Sequence, residues 1–181
     1  MQFYRKITGQ RLYLSPFDAA DTAIQAQWTE WMNDRGVSDT FDGHHQLVNI
    51  AVAKKTLESL KGYFFAIVLL EGDAHIGHIS LHDIDHLHRH AFLGIVIGDS
   101  ARRGNGYGAE AIRLVLDYGF NTLNLHSIML SVHADNHPGI ACYKKAGFQY
   151  AGRRREWVFK EGQYVDLLYM EILDREFNAQ T

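Results

Sequence analysis

A mixed α/β fold is predicted by three features of this sequence. Residues 63 to 97 hold three largely apolar runs separated by short polar turns, the pattern of strands joined by hairpins. The third run, Ala91 to Ile97, passes through a glycine-rich loop straight into a segment with helical spacing, Gly106 to Leu123. A further alternating run, Ser127 to His133, follows that helix and completes a strand–helix–strand unit.

Each element has its own local signal. Arg11 to Ser15 alternates as a short strand, and Ser15-Pro16-Phe17-Asp18 reads as a turn and helix start. Ala19 to Asn33 is amphipathic and predicted helical, with Trp28, Trp31 and Met32 on one side. Asp34 to His45 is polar, carries Gly36 and Gly43, and reads as a loop. Gln46 to Leu60 is a second helix. Tyr63 to Leu70 is an apolar strand, Glu71-Gly72-Asp73 a hairpin turn, His75 to Asp83 the next strand, and Asp85 to His90 a polar turn. In the 106–123 helix, Ala111, Ile112, Val115, Leu116 and Phe120 recur at helical spacing and mark the buried face. A short helix from Pro138 and two strands, Tyr150 to Phe159 and Gln163 to Leu173, complete the order. The expectation is a hairpin-rich sheet in front and a strand–helix–strand unit behind.

Composition narrows the class. The chain has 181 residues, 46% of them hydrophobic, and 2 prolines, which fits one domain (1–181) with an ample core. The formal net charge of −3 argues against nucleic-acid binding, which calls for a basic excess. A lone cysteine, Cys142, forms no internal disulfide and suits a reducing compartment. Met1-Gln2-Phe3-Tyr4-Arg5-Lys6 lacks an apolar signal core, and no run is long enough to cross a bilayer, so a cytoplasmic location without membrane contact is expected. The 11 histidines include His86, His88 and His90 in alternation and the pair His44-His45. Zinc ligands come with Cys or acidic partners in a closed geometry, so these read as surface polar residues and no metal is expected.

The most informative stretch is Arg102-Arg103-Gly104-Asn105-Gly106-Tyr107-Gly108. Three glycines in five residues bare the backbone, so that its N–H groups can close on an anion. The following helix adds its unpaired N-terminal donors and the positive end of its dipole. Arg102 and Arg103 add fixed charge. Together they describe a pyrophosphate cradle. A P-loop would need Lys followed by Ser or Thr after its last glycine, and Tyr107-Gly108-Ala109 supplies neither. A dinucleotide turn would read G-x-G-x-x-G early in the chain.

The run Arg103-Gly104-Asn105-Gly106-Tyr107-Gly108 resembles the R-x-x-G-x-G acyl-CoA signature of the GNAT superfamily of N-acetyltransferases. A second block resembles the same family's acetyl-CoA site: the strand Ser127 to His133, the turn Ala134-Asp135-Asn136-His137-Pro138 and the helix through Cys142-Tyr143 that stops at Gly147-Phe148. The tail from Gly152 to Met170 is similar to the branch holding ribosomal-protein N-terminal acetyltransferases and spermidine acetyltransferases. The resemblance is strong from Gly94 to Ile172 and weak before it. It implies the GNAT acyl-CoA N-acyltransferase fold: a central, mostly antiparallel sheet, flanking helices and a splayed strand pair. The acetyl-CoA site falls mainly in 94–148.

The resemblance also implies roles. Acetyl-CoA is the cosubstrate, held by Arg102, Arg103, Gly104, Asn105, Gly106, Tyr107 and Gly108. The backbone of Ile95, Val96 and Ile97 pairs with its pantetheine arm, an N–H near Val96 polarising the thioester carbonyl. Asn136 binds the cofactor arm, or caps a helix before Pro138, or does both. Tyr143 is the expected general acid, giving its proton to the leaving thiolate; the plain alternative is a tyrosine packed on a helix face with its hydroxyl wet. The family often places a Glu two residues ahead of the glycine on the preceding strand; here that residue is Phe92. Candidate bases elsewhere are Asp83, His82 and His133, each of which also reads as a strand-end polar residue, and a water chain could serve instead. Cys142 reads as a packed helix residue rather than a nucleophile.

The expected reaction is direct attack of a primary amine on acetyl-CoA. The acceptor stays open between a protein N-terminus, a polyamine, an amino sugar and an antibiotic. Glu30, Asp34, Asp39 and Asp42 with Trp28 and Trp31 would suit a cationic acceptor, or form a solvated helix face over core aromatics. Rival readings are an idle acyl-CoA-binding or sensor domain and a transferase with another acyl donor. The branch allows a homodimer, for which no motif speaks.

Overall fold

The computed structural model describes residues 1–40 and 47–179. Eight strands form one sheet: β1 (Ile7–Thr8), β2 (Leu12–Pro16), β3 (Gly62–Leu69), β4 (His75–Asp85), β5 (His90–Ile97), β6 (Ser127–His133), β7 (Gln149–Lys160) and β8 (Gln163–Leu173). Their order is β1-β2-β3-β4-β5-β6-β8-β7. Every neighbouring pair is antiparallel except β5 with β6. The mixed, mostly antiparallel sheet predicted from the sequence is the one present.

The β5–β6 pair shapes the molecule. Its parallel register runs only through His90↔Ser127, Ala91↔Ile128 and Phe92↔Met129. β6 then continues to His133 paired with β8, while β5 continues to Ile97 paired with β4. Beyond Phe92 the two strands therefore part, and β5 from Leu93 on offers an edge towards the gap.

Among the described residues six α-helices flank the sheet: α1 (Thr22–Asn33), α2 (Arg35–Ser38), α3 (Ile50–Ser59), α4 (Tyr107–Asp117), α5 (His137–Lys145) and α6 (Asp174–Asn178). The Asp21 side chain caps α1 through the N–H groups of Ala23 and Ile24, so the helix starts later than its apolar pattern does. α2 forms inside the predicted polar loop, and α4 passes into a π-helical turn at Tyr118–Thr122. The predicted strands β2 to β8 lie close to their expected ranges, whereas β1 and α6, two and five residues long, fall below what periodicity can detect.

One large core packs Leu81, Ala91 and Leu93 of the sheet against Ala111, Ile112, Val115 and Leu116 of α4, the face its spacing predicted. A smaller cluster of Tyr13, Ala66 and Val68 sits on the other face beneath Phe3 and Phe17. No helix among the described residues is long and apolar enough to cross a membrane.

Candidate functional site

The loop between β5 and α4 is built as the glycine spacing requires. Gly104 and Gly106 hold φ of +75° and +81°, a left-handed conformation that a side chain disfavours. Gly106 is the N-cap of α4 and supplies no side-chain cap. The N–H groups of Tyr107, Gly108 and Ala109 donate to no backbone carbonyl among the described residues and lie at the positive end of the helix. A Cβ on Gly104 would meet open space, so the loop is bare on its outer side. A Cβ on Gly108 would instead touch Cys142 Sγ at 3.5 Å, Ile97 at 3.8 Å and Ile95 at 3.9 Å. The start of α4 thus lies against both β5 and α5 at ordinary contact distance.

The two arginines have different surroundings. Arg102 is partly exposed and lies 3.7 Å from Asp99, whose side chain also caps the short turn Ser100–Arg102. Arg103 turns inward: it donates to the carbonyls of Ile97 (2.9 Å) and Gly98 (2.8 Å) and meets Asp34 at 3.3 Å. Its charge is spent in fastening the end of β5 to the α1–α2 corner. The Asn105 side chain donates to Ala101 O and Arg103 O and closes the loop from within.

A third arginine, which no local motif marks, completes the rim. Arg11 stacks on the Tyr107 ring at 4.7 Å and donates to Asn105 O at 3.0 Å. It pairs with Glu110 in the first turn of α4 at 2.8 Å, and the same carboxylate accepts from the backbone of Gln10 and Arg11. Burial alone would raise the Glu110 pKa, but these bonds from Arg11 and Gln10 outweigh it and hold the carboxyl below its ordinary value. The residue just ahead of β2 is thus locked against a loop more than ninety positions away.

Asn136 caps α5, its Oδ1 accepting from Gly139 N at 3.0 Å. Tyr143 is part-buried against the core, its ring 6.1 Å from Phe148. Burial, then the neighbouring Cys142, pushes its pKa well above the ordinary phenol value, so the hydroxyl keeps its proton throughout the physiological range. That hydroxyl has no hydrogen-bond partner among the described residues. The Cys142 thiol is likewise pushed up by burial and stays neutral, as a packed thiol does.

The face of β5 away from α4 carries Phe92, Gly94 and Val96, paired across to His82, Ser80 and His78 of β4. Trp31 of α1 is buried, lies 5.0 Å from His75 and 5.9 Å from His78, and packs flat on Gly98, where a Cβ would collide with its ring. Trp31 is therefore core. Asp34 and Asp39 are engaged by Arg103 and Arg35, while Asp42 and His44-His45 lie outside the described residues.

The candidate bases are scattered. His133 is buried at the end of β6. Asp83 is exposed, sits at φ +49° and bonds His82 Nδ1 at 3.0 Å. In the 85–90 turn, Asp85 accepts from the N–H groups of Leu87 and His88, and His88 stacks on His90 at 6.2 Å.

Residues 11–149 match the model of the acetyltransferase (GNAT) domain. The chain is 35% identical to the spermidine N(1)-acetyltransferase of Escherichia coli over 104 residues, which span 58% of this chain and 55% of that protein, about half its length. It is 28% identical to the uncharacterized N-acetyltransferase p20 of Bacillus licheniformis over 178 residues, 93% of this chain and 96% of that one. The fold matches the crystal structure of a Vibrio cholerae spermidine N-acetyltransferase in complex with CoA and spermine, with a TM-score of 0.81 at 24% identity, covering 94% of this chain and 99% of that one.

Proposed function

The chain belongs to the GNAT acetyltransferase family, and from that membership we propose that it transfers the acetyl group of acetyl-CoA to a primary amine. The observation that carries the reading is the uncapped start of α4 behind two left-handed glycines, lying directly after the free edge of β5. Gly104, Gly106 and the first-turn N–H groups of α4 hold the pyrophosphate, with Arg102 and Arg11 at the rim. The β5 backbone at Ile95 and Ile97 pairs with the pantetheine arm. Gly98 N–H bonds Ile76 O on β4, so by strand alternation the groups of Val96 also face β4 and those of Ile95 and Ile97 face the gap. Ile97 O is already committed to Arg103, so the Ile97 N–H and both groups of Ile95 remain for that task.

Arg103 and Asn105 hold the loop in shape, Tyr107 braces Arg11, and Gly108 admits the arm past Cys142. Asn136 fixes the start of α5 and so the place of Tyr143. Tyr143 gives its proton to the thiolate as the C–S bond breaks. Burial keeps the hydroxyl protonated, the state from which it can give that proton. A backbone N–H near Val96 steadies the carbonyl oxygen as charge develops on it.

The acceptor is an amine that arrives as a cation. Relatives named for spermidine put polyamines first among the classes to test, beside protein N-termini, amino sugars and aminoglycoside antibiotics. The test is thiol release from acetyl-CoA with one acceptor of each class. Release with one class establishes the transfer and names the substrate. CoA binding without release from any class favours an idle acyl-CoA binder. Absence of CoA binding overturns the reading.

A further inference from the structure

We infer that His82 is the general base for the incoming amine and that Asp83 is the residue that positions it. The inference rests on the acetyl-transfer reading above and supplies the step it lacks. Four observations bring it to these two residues.

The first is place. His82 is the cross-strand partner of Phe92, the last β5 residue paired with β6. Its Nε2 lies 3.6 Å from where a Cβ on Gly94 would stand. The imidazole therefore overhangs β5 at the point where the strands part. Ile95, the residue after Gly94, turns its N–H to the gap. A thioester carbonyl held there would be attacked within reach of this ring, directly or through one water. Because residue 94 is glycine, no side chain stands between them.

The second is orientation. Nδ1 is 3.0 Å from the Asp83 carboxylate, and with the proton donated there Nε2 presents its lone pair to the gap. The ring lies nearly parallel to Phe92, at 6.1 Å and 25°, which limits its swing. The third is a built irregularity. Pairing slips between His82 and Asp85, and Asp83 holds φ +49°. Such a bulge redirects a side chain, and here it returns the carboxylate of Asp83 to its neighbour. The fourth is access. The His82 side chain is 34% exposed, so a proton taken from the amine can pass to solvent. His133, the other imidazole candidate, is 2% exposed.

The chemistry balances. The ammonium gives one proton to His82 Nε2, which releases it to water. The neutral nitrogen forms a bond to the carbonyl carbon and the C–S bond breaks. Tyr143 protonates the leaving thiolate, and the second nitrogen proton returns to the phenolate oxygen. Ammonium and thioester thus give amide, free thiol and one solvent proton.

The test uses acceptors of graded basicity. An alkyl ammonium needs a base, whereas an alkoxyamine of similar shape is already neutral at assay pH and does not. His82→Gln should lower kcat/KM about a hundredfold for the alkyl amine and leave the alkoxyamine within about twofold. Asp83→Asn, which tolerates the left-handed backbone, should show the same split with a smaller loss. CoA affinity by calorimetry should be unchanged in both variants. Equal losses on the two acceptors would mean a purely structural role and overturn the assignment, as would full activity on both. A wild-type protein that binds CoA but releases no thiol with any acceptor would remove the transfer reading itself, and this inference with it.

Discussion

The loop at the start of α4 and the histidine-lined face of β4 lie on opposite sides of β5 and are made of different material. The loop is main chain: left-handed glycines, an uncapped helix start and a free strand edge. Its side chains, Arg103 and Asn105 above all, are turned back to hold the backbone in shape. The β4 face is side chain: His75, His78, Ser80 and His82, brought together by cross-strand register and roofed at one end by Trp31. A site of the first kind is sensitive to any added Cβ. A site of the second kind is sensitive to register, burial and proton balance. The variants below separate the two.

The largest effect is expected at Gly106. Gly106→Val puts a branched side chain at φ +81°, with its Cβ 3.4 Å from the Arg11 guanidinium. It should weaken CoA about a thousandfold in calorimetry. Retained affinity would show that the loop is not the cradle.

The β4 face should answer to acid instead. Burial lowers the pKa of His75 to about 4, against a smaller opposing effect of its bond with Gly77. Burial, then His75, lowers that of His78 to about 3. The His75 Nε2 and His78 Nδ1 are sealed from solvent without partners among the described residues. Above pH 6.5 both rings are neutral in the folded and unfolded chain. As pH falls from 6.5 towards 4, the unfolded chain takes up protons that the folded chain refuses, so stability falls through that window. His75 alone should account for about 3 kcal/mol of the loss. Chemical denaturation at pH 7 and pH 4.5 should show it, and His75→Gln should flatten the difference. An unchanged slope would mean that the rings are wetter than their packing indicates.

Tyr143→Phe sharpens the comparison from the chemical side. It should lower kcat about a hundredfold with the CoA Kd within about threefold. Equal losses in both would leave the hydroxyl as a binding group only. The smallest effect is structural. Glu110→Ala should cost about 2 kcal/mol in thermal unfolding, because it strands the N–H groups of Gln10 and Arg11 and frees Arg11 from the loop. No loss would mean that water replaces the carboxylate.

Legibility in the sequence follows the same division. The glycine loop could be read because backbone conformation leaves a local trace: a left-handed residue must be glycine or nearly so, and a helix start follows at once. The strands β2 to β8 and the buried face of α4 could be read because their periods of two and 3.6 are local as well. Arg11 could not. Nothing at Arg11-Leu12-Tyr13 points to a loop at 102–108, and only the packing of β2 beside α4 joins them. Arg103 looked like a phosphate ligand by spacing, yet its direction was set by two carbonyls at the end of β5. Asp83 and His82 stood side by side as candidates among several, with nothing local to show that Gly94 lay across from them.

The sequence by itself determined the fold class, the order of the strands along the chain, the helix that backs the sheet and the left-handed glycine loop at its start. Each of these depends on neighbours within about a turn or a hairpin, where sterics and periodicity act directly. Tertiary structure decided where β5 and β6 part and which arginine faces the loop. It also decided that Trp31 is core and that one imidazole overhangs the gap while His133 is enclosed. Those outcomes depend on register between strands distant in sequence, and no local pattern carries the free energy of a contact whose partner is dozens of residues away.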